Sequence, residues 1–278
     1  LRAEVYYFSG TGNSLAVARD IAKGIDRKLV PIASLIGAKS IKPKSDVLGL
    51  VFPVYYATND CGIPLIVGRF VGKLENLSSK YIFGVCTHSG MPGMTIENLK
   101  SAVQSRGGKL AAGFAVRMSN KKEKERKQKV LLIRQKKKLQ AICEYINAGK
   151  EGKFETRGLL RKILLAPLRS LEKPIFKYRY RKLAGTSKNS FSKLIPLADA
   201  SFRTNKRCTG CGICAQVCPV SNIKIVDGKP VWLHHCETCY GCYGWCPNNA
   251  ICGEIVSYND WYHNPEVQLS EMLKVDKQ

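Results

Sequence analysis

Along the first 150 residues, short dense apolar runs alternate with stretches whose apolar positions recur every three or four residues. The runs near residues 3–8, 29–33, 46–52, 80–87 and 110–117 have the length and the branched and aromatic content of buried strands. Between them, Leu15, Ala18, Ile21 and Ala22 mark one helix. Leu132, Leu139, Ile142 and Ile146, ahead of Gly149, predict another from about Asn120 to Ala148. Strand and helix in alternation predict an α/β fold, a doubly wound parallel sheet.

Beyond residue 200 the pattern is set by cysteine instead. Cys208, Cys211, Cys214 and Cys218 precede Pro219, and Cys236, Cys239, Cys242 and Cys246 precede Pro247. Each run reads C-x2-C-x2-C-x3-C-P, the spacing that holds two cubane iron–sulfur clusters. Three cysteines two residues apart reach three corners of one cube, and the fourth corner takes a thiolate from elsewhere. In this arrangement the cysteine before the proline serves the other cluster. The expected sets are therefore Cys208, Cys211, Cys214 with Cys246, and Cys236, Cys239, Cys242 with Cys218. Gly210, Gly212 and Gly241 suit places where the backbone must approach a cluster and adopt positive φ. Tetrahedral zinc asks for neither a third cysteine nor C-P in each copy. A disulfide framework belongs to small secreted domains, not to a 278-residue chain with cysteines gathered in one segment. This part, about residues 201 to 257, resembles the bacterial two-cluster ferredoxins.

At the amino end, the apolar run Val5-Tyr6-Tyr7-Phe8 meets Ser9-Gly10-Thr11-Gly12-Asn13-Ser14, and a helix pattern follows. A small polar loop at a helix start offers N–H groups and hydroxyls to a phosphate. No lysine follows the glycines, which excludes a triphosphate loop, and Leu15 stands where a dinucleotide fingerprint needs its third glycine. A monophosphate remains. The segment resembles the phosphate loop of the flavodoxins, (Ser/Thr)-x-Thr-Gly-Asn-(Ser/Thr), and that resemblance implies strand order 2-1-3-4-5 and flavin mononucleotide (FMN). It implies phosphate contacts from Ser9, Thr11, Gly12, Asn13 and Ser14. It implies ring contacts from Pro53, Val54, Tyr55, Tyr56 and Ala57 after the third strand, and from Thr87, His88, Ser89, Gly90 and Gly93 after the fourth, with Tyr55 or Tyr56 stacked on the ring. One departure stands out, because Ala57-Thr58-Asn59-Asp60 lacks the glycine with which that family serves the flavin N5.

The formal charge of +24 is uneven: residues 1–116 carry 14 basic and 7 acidic side chains, 117–207 carry 27 and 7, and 208–278 carry 4 and 7. The run Lys121-Lys122-Glu123-Lys124-Glu125-Arg126-Lys127 opens a helix where positive charge opposes the dipole, so helix stability does not explain it. An acidic redox protein, a ferredoxin-like donor or acceptor, is the expected partner. Nucleic acid is not expected, since aromatics do not interleave and no base-reading motif is present. In residues 157–183, Leu160, Ile163, Leu164, Leu168 and Leu171 alternate with basic residues, with Pro167 among them. Packing across both domains is the preferred reading of this stretch, a membrane surface or partner docking the lesser ones. Residues 184–207, rich in Gly, Ser and Lys, read as the flexible end of the connection. No run is long enough to cross a bilayer and nothing at the start resembles a secretion signal, so the cytoplasm is the expected compartment. The sequence carries no mark of an oligomeric state.

The whole is similar to the flavodoxin-ferredoxin fusion proteins, down to the tail Tyr262-His263-Asn264-Pro265-Glu266-Val267. The expected domains are 1–149 (flavodoxin-like, FMN-binding), 150–200 (basic amphipathic connector), 201–257 (ferredoxin-like, two 4Fe-4S clusters) and 258–278 (tail). The resemblance implies electron relay between the clusters and FMN, linking a soluble donor to an acceptor protein. The alternative is an FMN-dependent reductase of a quinone, nitro compound or oxygen fed through the clusters. Cys61, Cys86, Cys143 and Cys252, outside the motifs, read as small apolar side chains.

Overall fold

The computed structural model describes residues 4–55, 62–119, 125–155, 177–186, 190–256 and 261–273. The chain divides into two compact units, Leu1–Phe8 with Asn13–Arg169, and Ser9–Gly12 with Ser170–Gln278.

In the first unit, β1 (Glu4–Tyr7), β2 (Lys28–Pro31), β3 (Val47–Pro53), β4 (Tyr81–His88) and β5 (Leu110–Arg117) pair in the order β2-β1-β3-β4-β5. All four pairings are parallel, with β1 set between β2 and β3, so the sheet is the doubly wound flavodoxin-like type. The central strands read as near-continuous apolar runs because they are buried on both faces, as parallel sheets are: Leu48, Leu50, Val51 and Phe52 of β3 have no exposure. The helices α1 (Asn13–Gly24), α2 (Leu65–Gly72), α3 (Thr95–Gln104) and α4 (Glu125–Asn147) supply the cover. Leu15, Ala18, Ile21 and Ala22 of α1 are buried, as are Leu139, Ile142 and Ile146 of α4. The apolar positions of α4 thus face inward only in its second half. In its first half Val130, Leu132 and Ile133 are exposed among basic side chains.

Residues 150–155, expected in the connector, continue the first unit beside β5. Gly113 N–H donates to Lys153 O at 2.9 Å and Glu155 N–H to Gly113 O at 2.8 Å. Glu155 Oε2 also receives Lys138 Nζ at 2.6 Å and the Ala115 N–H at 2.9 Å. This segment occupies the free edge of β5, which would otherwise present unpaired N–H and C=O groups. Among the described residues, no helix is long and apolar enough to cross a membrane.

The second unit is small. Its strands β6 (Arg203–Thr204) and β9 (Ile251–Cys252) pair antiparallel, and β7 (Ile223–Val226) and β8 (Lys229–Trp232) form a hairpin. The hairpin turns at Asp227-Gly228, both at positive φ, which matches the right-handed strand twist. Phe202, Ile223, Trp232, Tyr243 and Ile251 pack with Cys218, Cys236 and Cys242 into the core. The reading of 184–207 as a flexible end is corrected over its described carboxyl part. There, Phe191–Leu194 is helical, Ile195–Ser201 forms a 3-10 helix, and Leu194, Ile195, Ala198 and Asp199 are buried. Composition misled because Ser and Lys are interspersed with the apolar residues that do the packing.

Close packing inside the sheet sets one test. A Cβ on Gly49 would come 2.4 Å from the ring of Phe83, which is fully buried and faces Gly49 in the β3–β4 register. Gly49→Ala should cost about 1–3 kcal/mol, read as a lowered urea midpoint of the first unit's transition.

Candidate functional site

The eight cysteines of the two runs ring two cavities of the second unit. Cys208, Cys211, Cys214 and Cys246 line one, together with Ile225, Pro230 and Ile251. Cys218, Cys236, Cys239 and Cys242 line the other, with Phe202, Ile223 and Trp232. In each cavity three cysteines come from one run and the fourth from the other. A left-handed residue precedes each cysteine helix, Gly212 at φ 78° and Tyr240 at φ 58°, so in the second run the positive φ expected of Gly241 falls instead on Tyr240, and Gly241 opens the helix. Gly210, at φ 71°, has no room for a side chain, since a Cβ would fall 2.5 Å from Gly228 O.

Among the described residues no three His, Cys, Asp or Glu side chains converge closely enough to hold a single metal ion. Four thiols spread around a void suit a group with several metal corners better than one tetrahedral zinc. Burial pushes the thiols up, Cys214 to about 11 and Cys239 to about 12, and Cys236 and Cys242 well above their ordinary value, with neighbouring cysteines adding to the effect. Bare thiolates are therefore unstable here, and a positively charged metal core is what would hold them deprotonated. Backbone N–H groups already point at sulfur: Asn222 to Cys218 and Thr238 to Cys236 at 3.2 Å, and Ala250 to Cys246 at 3.3 Å. Such bonds tune the potential of a bound cluster. The two cavities differ in exposure: Cys211 is exposed and Cys208, Cys214 and Cys246 half-buried, whereas the other four are buried.

The loop expected to hold phosphate lies across the division of the chain. Ser9–Gly12 group with the second unit, and Asn13 and Ser14 open α1 of the first. Ser9 Oγ accepts the Gly12 N–H at 3.1 Å, which leaves its own proton to donate. Gly12 takes φ 90°, closed to a side chain by conformation. The N–H groups of Gly10 and Thr11 meet no acceptor among the described residues. Unmet donors in a short polar loop fit a phosphate. Ser14 is placed differently: buried, its Oγ lies 2.7 Å from Thr87 Oγ1, so the two hydroxyls tie α1 to the end of β4.

Within the first unit, both ring loops leave the carboxyl ends of adjacent strands, and Val54 N–H donates to Thr87 O at 2.8 Å. Tyr55 is half-buried, edge-on to Phe8 at 6.1 Å. Pro53 and Val54 are half-buried, Ser89 and Gly90 exposed, and Gly93 buried with φ 61°. Tyr56 and Ala57, and the departure at 57–60, lie outside the described residues, as does most of 157–183. His88 Nδ1 is buried with no hydrogen-bond partner among the described residues. Burial lowers its pKa, so the ring is neutral at pH 7 and Nδ1 is free to pair with a polar atom of a ligand.

Two residues of the second unit, Asp199 and Trp245, went unassigned in the sequence. Asp199, buried, accepts from Asn222 Nδ2 at 2.7 Å and from the His234 N–H at 3.1 Å, and pairs with His234 Nδ1 at 2.8 Å. It fixes the segment leading into the second cysteine run, where Cys236 N–H donates to Pro196 O. Trp245 stacks on His263, ring centroids 4.2 Å apart. Only C-terminal position and a lone acidic residue amid apolar neighbours hinted at these roles.

Residues 201–247 match the family model of a 4Fe-4S dicluster domain. No curated protein matches the chain. Among solved structures, a Streptococcus pneumonia TIGR4 flavodoxin aligns at 15% identity over 54% of this chain and 99% of its own, TM-score 0.38. The two-electron reduced flavodoxin of Megasphaera elsdenii aligns at 21% identity over 41% and 85%, TM-score 0.33. A flavodoxin from the Archaea aligns at 15% identity over 50% and 99%, TM-score 0.32.

Two outcomes are expected. Cys246→Ser should remove iron from the cavity that also holds Cys208, Cys211 and Cys214 and spare the other, so that bound iron falls to about half and one of two spectroscopic signals disappears. Separately, the folded chain holds His88 below the ordinary 6.5, so the unfolded chain takes up the proton first as pH falls. This contribution to stability is intact above about pH 6.5 and lost below it, and His88→Gln should flatten that part of the thermal midpoint's decline with acid.

Proposed function

We propose that the chain is an electron-transfer iron–sulfur flavoprotein that relays single electrons between two 4Fe-4S clusters and FMN. The observation that carries this reading is the grouping of eight cysteines around two cavities, each drawing its fourth thiol from the other run. Cys208, Cys211, Cys214 and Cys246 would hold one cluster, and Cys218, Cys236, Cys239 and Cys242 the other. The loop Ser9–Ser14 would take the flavin phosphate on unmet N–H groups, with Tyr55, Thr87 and His88 against the ring. Bound clusters would supply one-electron exchange, and a bound flavin exchange of one electron or two.

The chain's own residues then divide the labour. The four buried cysteines and their apolar neighbours exclude water from one cavity, while exposed Cys211 brings the other within reach of a partner's surface. The first half of α4 suits an acidic redox protein: exposed Val130, Leu132 and Ile133 offer apolar contact amid Lys127, Lys129, Arg134, Lys136 and Lys137. The lysines and arginines would steer association, and the apolar residues would hold the encounter.

Anaerobically prepared protein should carry iron, acid-labile sulfide and flavin together, and a sample with zinc and no flavin would end this reading. Stopped-flow mixing of the reduced protein with an acidic ferredoxin should give a rate that falls steeply with ionic strength, and Lys136→Glu with Lys137→Glu should lower it about tenfold. Saturable kinetics with a quinone or nitro compound, and none with the ferredoxin, would favour the reductase instead.

A further inference from the structure

The phosphate loop is held from outside by residues far along the chain, all within the second unit. Trp245 Nε1–H donates to Gly10 O at 3.0 Å, in a bond buried from water. The Asn264 N–H donates to Thr11 O at 2.7 Å. Fit is close throughout. A Cβ on Gly10 would fall 1.9 Å from Cys239 O, and one on Gly12 would meet Asn264, Val267 and Trp245 at 3.1 to 3.4 Å.

These contacts have a directional consequence. In a trans peptide the C=O and the following N–H lie in one plane and point opposite ways. Fixing Gly10 C=O on the Trp245 indole therefore aims Thr11 N–H away from Trp245, and that N–H is one of the two loop donors with no acceptor among the described residues. Fixing Thr11 C=O on Asn264 likewise aims Gly12 N–H, which goes to Ser9 Oγ and orients that hydroxyl. Trp245 itself sits between Cys242, which lines one cysteine cavity, and Cys246, which lines the other. Its indole is further held by stacking on His263.

We propose that Trp245 is a positioning residue for the flavin phosphate: its indole N–H sets the peptide that presents Thr11 N–H, and so couples phosphate binding to the cysteine turn that carries it. The inference rests on the flavin reading above and adds a residue that no phosphate-loop pattern contains. It follows that the grip on FMN has a component absent for riboflavin, which lacks the phosphate, and that this component depends on Trp245.

The test is a pair of affinities. Flavin-depleted protein with its iron intact is titrated with FMN and with riboflavin, following flavin fluorescence, for the wild type and for Trp245→Phe. Phenylalanine keeps an aromatic ring for His263 to stack on and removes the donor. The expected result is FMN affinity about tenfold weaker, the effect of one ordinary buried hydrogen bond, with riboflavin affinity unchanged and iron content equal to wild type. A shift of the bound-phosphate 31P resonance should accompany it. Equal FMN affinity, or equal losses for both ligands, would overturn the role. Should Trp245→Phe lose iron, replacement of Trp245 by its benzothiophene isostere, which deletes only the N–H, reads the same difference. A wild type that binds neither flavin refutes the flavin reading itself, an outcome distinct from the loss of FMN preference alone.

Discussion

Water must be kept from the buried cysteines, yet buried thiols resist losing their protons. This constraint governs the second unit. Its strands are two to four residues long and its apolar core is modest, so the segment has little to fold around apart from what the cysteines bind. Exchanging the fourth thiol between runs makes each cavity depend on the chain on both sides of the hairpin. A cavity lined from both runs would tie a metal group bound there to the integrity of the unit, as binding and folding are commonly coupled in small metal-holding domains.

The first unit follows a different logic. Its parallel sheet is stabilised by apolar burial on both faces, and its loops at strand carboxyl ends are free to carry polar chemistry. Val54 and Thr87 are joined backbone to backbone, and Ser14 and Thr87 hydroxyl to hydroxyl, so these loops are braced by the strands they leave. The second of these loops holds one buried polar atom with no hydrogen-bond partner among the described residues, His88 Nδ1. Orphaned polar atoms cost free energy unless a ligand meets them, and such atoms at strand ends are a physical sign of a site.

Charge and apolarity are deployed on α4 against the usual rule. Half of that helix buries its apolar positions against the sheet, and half leaves them in water beside lysines. Glu125 pairs with Lys129 at 2.8 Å in the first turn, a surface contact of small worth.

Strand positions, the sheet type and the cysteine spacing were legible in the sequence, because each depends on residues close together along the chain. Periodicity reports which face is buried, and C-x2-C-x2-C reports how tightly a loop can wrap. What only the tertiary structure decided are relations between residues far apart in number. Asp199 reads as one acidic residue amid apolar neighbours until His234 and Asn222 arrive beside it. Trp245 reads as an apolar residue between two cysteines until its N–H meets Gly10, 235 positions earlier. Residues 150–155 read as linker until they pair with β5. A local pattern encodes propensity and burial, whereas a hydrogen bond across the chain exists only once the chain has brought donor and acceptor to one place.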